Sequence, residues 1–218
     1  MSEGRIALFD MDGTLFDYDG QMKFDLHKLR SPDEPNPMLM EDLWAYTKQC
    51  PYLKERMELI KQVPGWWKGL PKLKLGWDIY HLANSMGFCC HILTKGPRSK
   101  SRAWAEKVEC INEHFGEDMP IDIVSGESSE GSNKKHRYGR VLVDDFPDYM
   151  LGWLKHRKRG LGIMPEQPCN AGFKHPNVVK YDGTDITMVD CALRAAYGRE
   201  PNQHWKDCLS QQWRERFS

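Results

Sequence analysis

The chain has 218 residues, enough for one mid-sized domain or a core carrying an insertion. Its 31 basic and 31 acidic residues balance, so no bulk charge would hold it to nucleic acid or an anionic membrane. A hydrophobic share of 40% with 8 Trp, 8 Tyr and 8 Phe also excludes a disordered chain.

Taken in chain order, the first apolar run is 5–9 (RIALF), ending at Asp10. Three more runs share that form: 88–93 (FCCHIL) ends at Thr94, 121–124 (IDIV) at Ser125 and 141–143 (VLV) at Asp144. Short apolar runs separated by helical patterns predict buried parallel strands of an α/β sheet. The intervening helices are expected over 75–86, with Ile79, Leu82, Ala83 and Met86 on the apolar face, and over 101–115, with Trp104, Val108, Ile111 and Phe115. Further helices are expected over 146–159 and 184–197, with a fifth strand at 160–164 between them. The architecture this implies is a doubly wound parallel sheet with its ligand site beyond the carboxyl ends of the strands, where Asp10, Thr94 and Asp144 fall.

The stretch 19–70 breaks the alternation, holding Pro32, Pro35, Pro37, Pro51 and Pro64, two helix-like pieces and a cluster of aromatics. It is expected to be a helical cap inserted after the first strand. The core would then be 1–18 and 71–200, and 201–218 an amphipathic helix packed on it through Trp205, Leu209, Trp213 and Phe217. The start of the chain lacks a signal-peptide pattern and no apolar run nears the roughly 18 residues of a bilayer span, so a cytoplasmic protein is expected, with no membrane partner. Seven cysteines without a C-x-x-C predict reduced structural thiols, Cys89 and Cys90 sitting in a buried strand. The scattered histidines give no zinc pattern.

The sharpest chemical signal is Asp10-Met11-Asp12-Gly13-Thr14 directly after a strand, because carboxylates at i and i+2 can face one cleft. An isolated Asp-Gly is usually a turn, and Asp17-Tyr18-Asp19-Gly20 repeats the string with no strand before it. A calcium loop fails, since Leu15 and Gln21 stand where glycine and glutamate are needed. Asp144 and Asp145 end another strand, and so many converging carboxylates call for a cation. Oxygen-only ligands point to Mg²⁺ with a substrate phosphate. Thr94, Lys95 and Gly96 suit that phosphate, and Lys134 or Lys135 lies in a polar loop before Asp144.

These elements, in this order, resemble the haloacid dehalogenase superfamily of aspartate-nucleophile phosphatases. The resemblance implies that Asp10 attacks phosphorus, that Asp12 serves as acid and then base, and that Thr94 and Lys134 hold the phosphoryl oxygens. It also implies Mg²⁺ on Asp10, the Asp12 carbonyl and a carboxylate of the Asp144–Asp145 pair, with Asp145 preferred. Within that superfamily the chain is similar to the 5'(3')-deoxyribonucleotidases in Asp17-Tyr18, in Glu41-Asp42-Leu43-Trp44, in Trp66-Trp67, and in Trp104-Ala105-Glu106-Lys107 leading to Phe115-Gly116. That likeness implies a nucleoside monophosphate substrate whose base meets Tyr18, Trp44 and Trp67. Lys95 replaces the serine those enzymes usually carry, adding a cation near the phosphate.

Three alternatives stand beside this reading: a phosphatase of another small metabolite, a nucleic-acid 3'-phosphatase, and a non-catalytic binding module. The insert argues for a small enclosed substrate and against a stable nucleic-acid complex. The basic run 155–159 reads as the solvated end of a helix. The expected partner is a small phosphorylated molecule, and the oligomeric state is left open, a homodimer included.

Overall fold

The computed structural model describes residues 4–97, 100–125, 127–128 and 131–217. Residues 1–3 and 218, at the outer limits of the expected core and tail, lie outside them. Six parallel strands form one sheet: β1 (Ile6–Phe9), β2 (Cys89–Lys95), β3 (Ile121–Val124), β6 (Val141–Val143), β7 (Leu161–Pro165) and β8 (Val178–Tyr181), in the order β3-β2-β1-β6-β7-β8. The short strands β4 (Glu127–Ser128) and β5 (Gly131–Ser132) pair apart from it.

Alternation along the strands splits the core in two. Phe9, Ile92, Val143 and Ile163 face one apolar cluster, while Leu8, Leu93, Leu142 and Met164 face another. On the first face lie α4 (Lys74–Ser85), α5 (Ser101–Phe115) and α7 (Thr187–Gly198); α6 (Pro147–His156) covers the second with Met150, Trp153 and Leu154. This is the doubly wound α/β arrangement the sequence implies.

Between β1 and α4 the chain forms α1 (Tyr18–Leu29), α2 (Leu43–Gln49) and α3 (Pro51–Ile60). Asp17 caps α1 by accepting from the Gly20 amide at 2.8 Å. The segment leaves and returns through a stem: Asp17 N donates to Pro71 O at 2.8 Å, and Leu73 N donates to Leu15 O at 2.9 Å. Met22, Leu43, Leu53, Met57, Trp66 and Trp67 join the same cluster as Phe9, so the segment packs on the core.

Several elements differ from the sequence reading. β2 runs on to Lys95, so Thr94 is inside the strand and not after it. The edge strand β8 is absent from that reading because its half-buried, mixed pattern lacks the continuous apolar run of a central strand. On α5 the buried residues are Ala103, Glu106, Lys107, Cys110 and Ile111, whereas Trp104, Val108 and Phe115 are half-buried. Cys89, first in β2, is exposed, while all seven cysteines are free thiols. The C-terminal segment is not one helix: a 3₁₀ turn over Trp205–Cys208 is closed by His204 and Asp207, Leu209 is extended, and α8 (Gln211–Arg216) restarts after Ser210. Trp205 and Leu209 are buried there, while Trp213 and Phe217 are half-buried. No helix among the described residues is long and apolar enough to cross a membrane.

Candidate active site

Sheet register brings the carboxylates together. Phe9 pairs with Val143, so Asp10 and Asp144 leave adjacent strands at one level, and Asp10 N donates to Val143 O at 2.9 Å. After Asp10 the backbone turns sharply, with Gly13 at φ 76° and its amide donating to Phe16 O at 2.8 Å. A Cβ on Gly13 would stand 2.5 Å from Asp145 Oδ2, so that glycine lets the turn meet the carboxylate. Thr14 Oγ1 bridges the two strand ends, donating to Asp145 Oδ1 and accepting from the Asp145 amide, both at 3.1 Å. Asn170 holds the other side of that loop, donating to Asp145 O and Pro165 O, both at 2.9 Å.

Two buried lysines enter from opposite faces of the sheet. Lys134, in a 3₁₀ turn packed on α6, lies 2.6 Å from Asp10 Oδ1 and 2.7 Å from Asp144 Oδ2. Lys107, on α5, pairs with Asp12 Oδ2 and donates to Thr94 Oγ1 at 2.9 Å and Lys95 O at 2.8 Å. Asp12 Oδ1 is buried with no hydrogen-bond partner among the described residues, leaving one oxygen of that carboxyl open to a proton or ligand. Lys135 is also buried, but Lys134 is the lysine paired with Asp10 and Asp144.

Burial dominates the electrostatics. It lifts the Asp12 carboxyl above its ordinary range, with Lys107 opposing and Asp10 adding to the rise. Asp144 is pushed up to about 6 by burial, against the pull of Lys134, and Asp145 goes well above the carboxylate range through burial and then the charges of Asp144 and Asp10. Burial would lower the Lys134 ammonium, but Asp10 and Asp144 outweigh it and raise it.

Asp10, Asp144 and Asp145 each offer a carboxylate oxygen, and these lie within 4.8 Å of one another. Lys134 brings one positive charge to Asp10 and Asp144, which leaves excess negative charge where two of the three carboxylates are buried. An oxygen-only donor set with that excess fits a hard divalent cation. The Asp12 side chain turns instead to Lys107.

The aromatic residues gather beside this cluster but are also packed against each other. Tyr18 stacks on Trp44 with centroids 6.2 Å apart and planes at 6°, and lies 5.8 Å from Trp67. Trp66 packs edge-on to Tyr18 at 5.4 Å and to Trp67 at 4.9 Å. Tyr18 and Trp67 are buried, whereas Trp44 is 42% exposed. Trp67 reaches the polar site, its ring 4.8 Å from the Lys107 ammonium. The Tyr149 ring lies between two cations, its centroid 5.8 Å from the Lys95 ammonium and 4.9 Å from the Lys134 ammonium.

Lys107 and Tyr149 are the residues sequence reasoning left without a site role. The available signal for Lys107 was a lysine one helical turn after Ala103 and before Ile111, on the side of α5 that is otherwise buried. Tyr149 had none beyond following the aspartate pair into α6.

No protein-family model matches the sequence, and no curated protein matches it. Among solved structures the chain is similar to a haloacid dehalogenase-like family hydrolase from Xanthomonas campestris, at 14% identity over 90% of this chain and 97% of that one, TM-score 0.46. It is also similar to a HAD-superfamily hydrolase from Ehrlichia chaffeensis, at 10% identity over 84% of this chain and 93% of that one, TM-score 0.46.

Proposed function

We propose that the protein is a Mg²⁺-dependent phosphomonoesterase of haloacid dehalogenase type. The observation that carries this reading is the meeting of Asp10, Asp144 and Asp145 around Lys134, with Asp12 and Thr94 joined by Lys107 alongside.

In the first step an Asp10 carboxylate oxygen forms a bond to phosphorus, giving an aspartyl phosphate, while the bond from phosphorus to the leaving oxygen breaks. Asp12 gives its proton to that leaving oxygen, a task suited to a carboxyl raised by burial, with Oδ1 unpartnered among the described residues. Asp12 then takes a proton from the water that attacks phosphorus, which releases phosphate and restores the Asp10 carboxylate. Thr94, Lys134 and Lys107 supply the hydroxyl and positive charge that orient and neutralise the phosphoryl oxygens. Asp10, Asp144 and Asp145, with the Asp12 carbonyl, would hold Mg²⁺, which when bound supplies positive charge against the charge developing on phosphate.

Within this reading the substrate is a nucleoside monophosphate, its leaving group facing Tyr18, Trp44 and Trp67, with Lys95 beside the phosphate. One observation favours another small metabolite instead: Tyr18 already stacks on Trp44, so a base must use an outer face of Trp44 or part the two rings. The enzyme is read as cytoplasmic, in keeping with seven free thiols. It would act alone or as a homodimer on a small substrate, without a stable nucleic-acid partner. The test is phosphate release from nucleoside 5'- and 3'-monophosphates, sugar phosphates and a 3'-phosphorylated oligonucleotide, with and without Mg²⁺. Release from nucleoside monophosphates above the other classes, and only with Mg²⁺, is expected. Preference for sugar phosphates would move the substrate to the metabolite class, and no release from any member would reject the enzyme.

A further inference from the structure

Helix α5 meets the returning arm of the helical segment along a polar stripe. Arg102 donates to Gln62 O at 3.4 Å, and Glu106 accepts from the amides of Gly65 at 2.9 Å and Trp67 at 3.1 Å. Lys68 pairs with Glu113 at 2.6 Å, and Lys100, one residue before the helix, pairs with Glu58. Positions 102, 106, 109 and 113 share one helical face, so the stripe follows from the 3.6-residue period.

Its members are not equivalent. The Lys68 and Glu113 side chains are 36% and 53% exposed, and such pairs contribute little. Glu106 is 6% exposed, and each of its carboxylate oxygens takes one backbone amide. Losing that acceptor strands the Trp67 amide in a buried place. The next residue, Lys107, points to Asp12 and Thr94, and its ammonium is the one that faces the Trp67 ring. Two successive residues of one helix thus hold the returning arm and the reacting groups in a single frame.

We propose that Glu106 is a positioning residue that fixes Trp67 against Lys107 and so sets the wall of the cleft facing the substrate's leaving group. This rests on the phosphatase reading for its effect on turnover, but not for its structural content. Lys107 keeps Asp12, Thr94 and the Lys95 carbonyl when Trp67 shifts, so the chemical step survives while the wall is lost. A glutamine side chain would offer one acceptor and turn an NH₂ group toward the second amide, so Glu106→Gln is an intermediate case.

The first readout needs no activity: amide hydrogen exchange of peptides covering 63–70, compared with peptides covering β1 and β6. In Glu106→Ala, exchange in 63–70 should rise about tenfold or more with the strands unchanged, and Glu106→Gln should fall between it and wild type. The second readout is kinetic, with Mg²⁺ present. KM for a nucleoside monophosphate should rise roughly tenfold with kcat within about twofold, while kcat/KM for p-nitrophenyl phosphate changes less than about threefold. Unchanged exchange in 63–70, or an equal rise in the strands, would overturn the positioning role. Equal losses on the two substrates would overturn its link to the leaving group. If wild type releases no phosphate from any substrate, the phosphatase reading falls, and with it the leaving-group link, while exchange still decides the placement of Trp67.

Discussion

Asp10 and Asp144 stand level because the backbone ladder pairs Phe9 with Val143 one residue earlier, whereas Tyr18, Trp44 and Trp67 meet through side-chain packing between loop-joined helices. The first arrangement is fixed by strand hydrogen bonds that no single side chain supplies. The second depends on each ring, and on Glu106 holding the returning arm. On the proposed reading, single substitutions can change the substrate wall and leave Asp10 and Asp144 in place. Every expectation below sets one of these regions against the other.

The largest effect should come from Lys134→Ala, which leaves Asp10 and Asp144 buried without their shared cation. Loss of one partner from a buried ion pair costs about 3–5 kcal/mol, so the midpoint of urea unfolding should fall sharply in the absence of Mg²⁺ and recover in part when Mg²⁺ is added. Lys135→Ala, which keeps the pair with Asp10 and Asp144, should lose less activity than Lys134→Ala. Matching mild losses for the two variants would mean that the strand-end cluster does not depend on Lys134.

Lys107→Ala should lower kcat for both a nucleotide and p-nitrophenyl phosphate, by about 100-fold, since it removes the cation shared by Asp12 and Thr94. That parallel loss would distinguish Lys107 from its neighbour Glu106. A loss confined to the nucleotide would move Lys107 from the chemical region to the wall.

Legibility follows the same division. The central strands were readable because parallel strands buried on both faces are continuous apolar runs, and the site aspartates sit where those runs stop. The inward side of α5 was not, because it carries Glu106 and Lys107 where an apolar pattern is sought. Their burial follows from partners distant in sequence: Gly65 and Trp67 for the first, Asp12 and Thr94 for the second. The C-terminal spacing of four predicted a single helix, yet the His204–Asp207 cap closes a 3₁₀ turn that ends at Leu209. Tyr18, Trp44 and Trp67 were legible as aromatics near the first strand, but whether a ring packs or waits for a ligand is decided by neighbours such as Trp66.

Asp19 tests the wall through stability. Burial pushes its carboxyl up to about 6 from an ordinary 3.8, with the charge of Lys23 opposing. The folded protein therefore binds this proton more tightly than the unfolded chain. Its stabilising contribution is complete below about pH 4 and is lost as pH rises through about 6. Asp19→Asn should remove that dependence, making the variant more stable at pH 7 by about 1–2 kcal/mol after allowance for the water that reaches the side chain. Urea unfolding at several pH values checks this, and a variant that is less stable at pH 7 would contradict it.

The smallest effect is expected from Trp44→Ala, about tenfold in kcat/KM for a nucleoside monophosphate and less for p-nitrophenyl phosphate. Circular dichroism should show the fold intact, because Trp44 is 42% exposed. Parallel losses on both substrates would assign Trp44 to packing and favour a substrate without a base.

The central claim is that the carboxylates at the ends of β1 and β6 form a catalytic cluster with Asp10 as its nucleophile. The direct measurement is phosphate release by Asp10→Asn with saturating Mg²⁺, beside wild type before and after chelation. Wild type should release phosphate and stop when Mg²⁺ is removed, and the variant should keep its circular dichroism spectrum with less than about a hundredth of the wild-type rate. A folded Asp10→Asn protein that retains a larger share, or a wild type unaffected by chelation, would contradict the account.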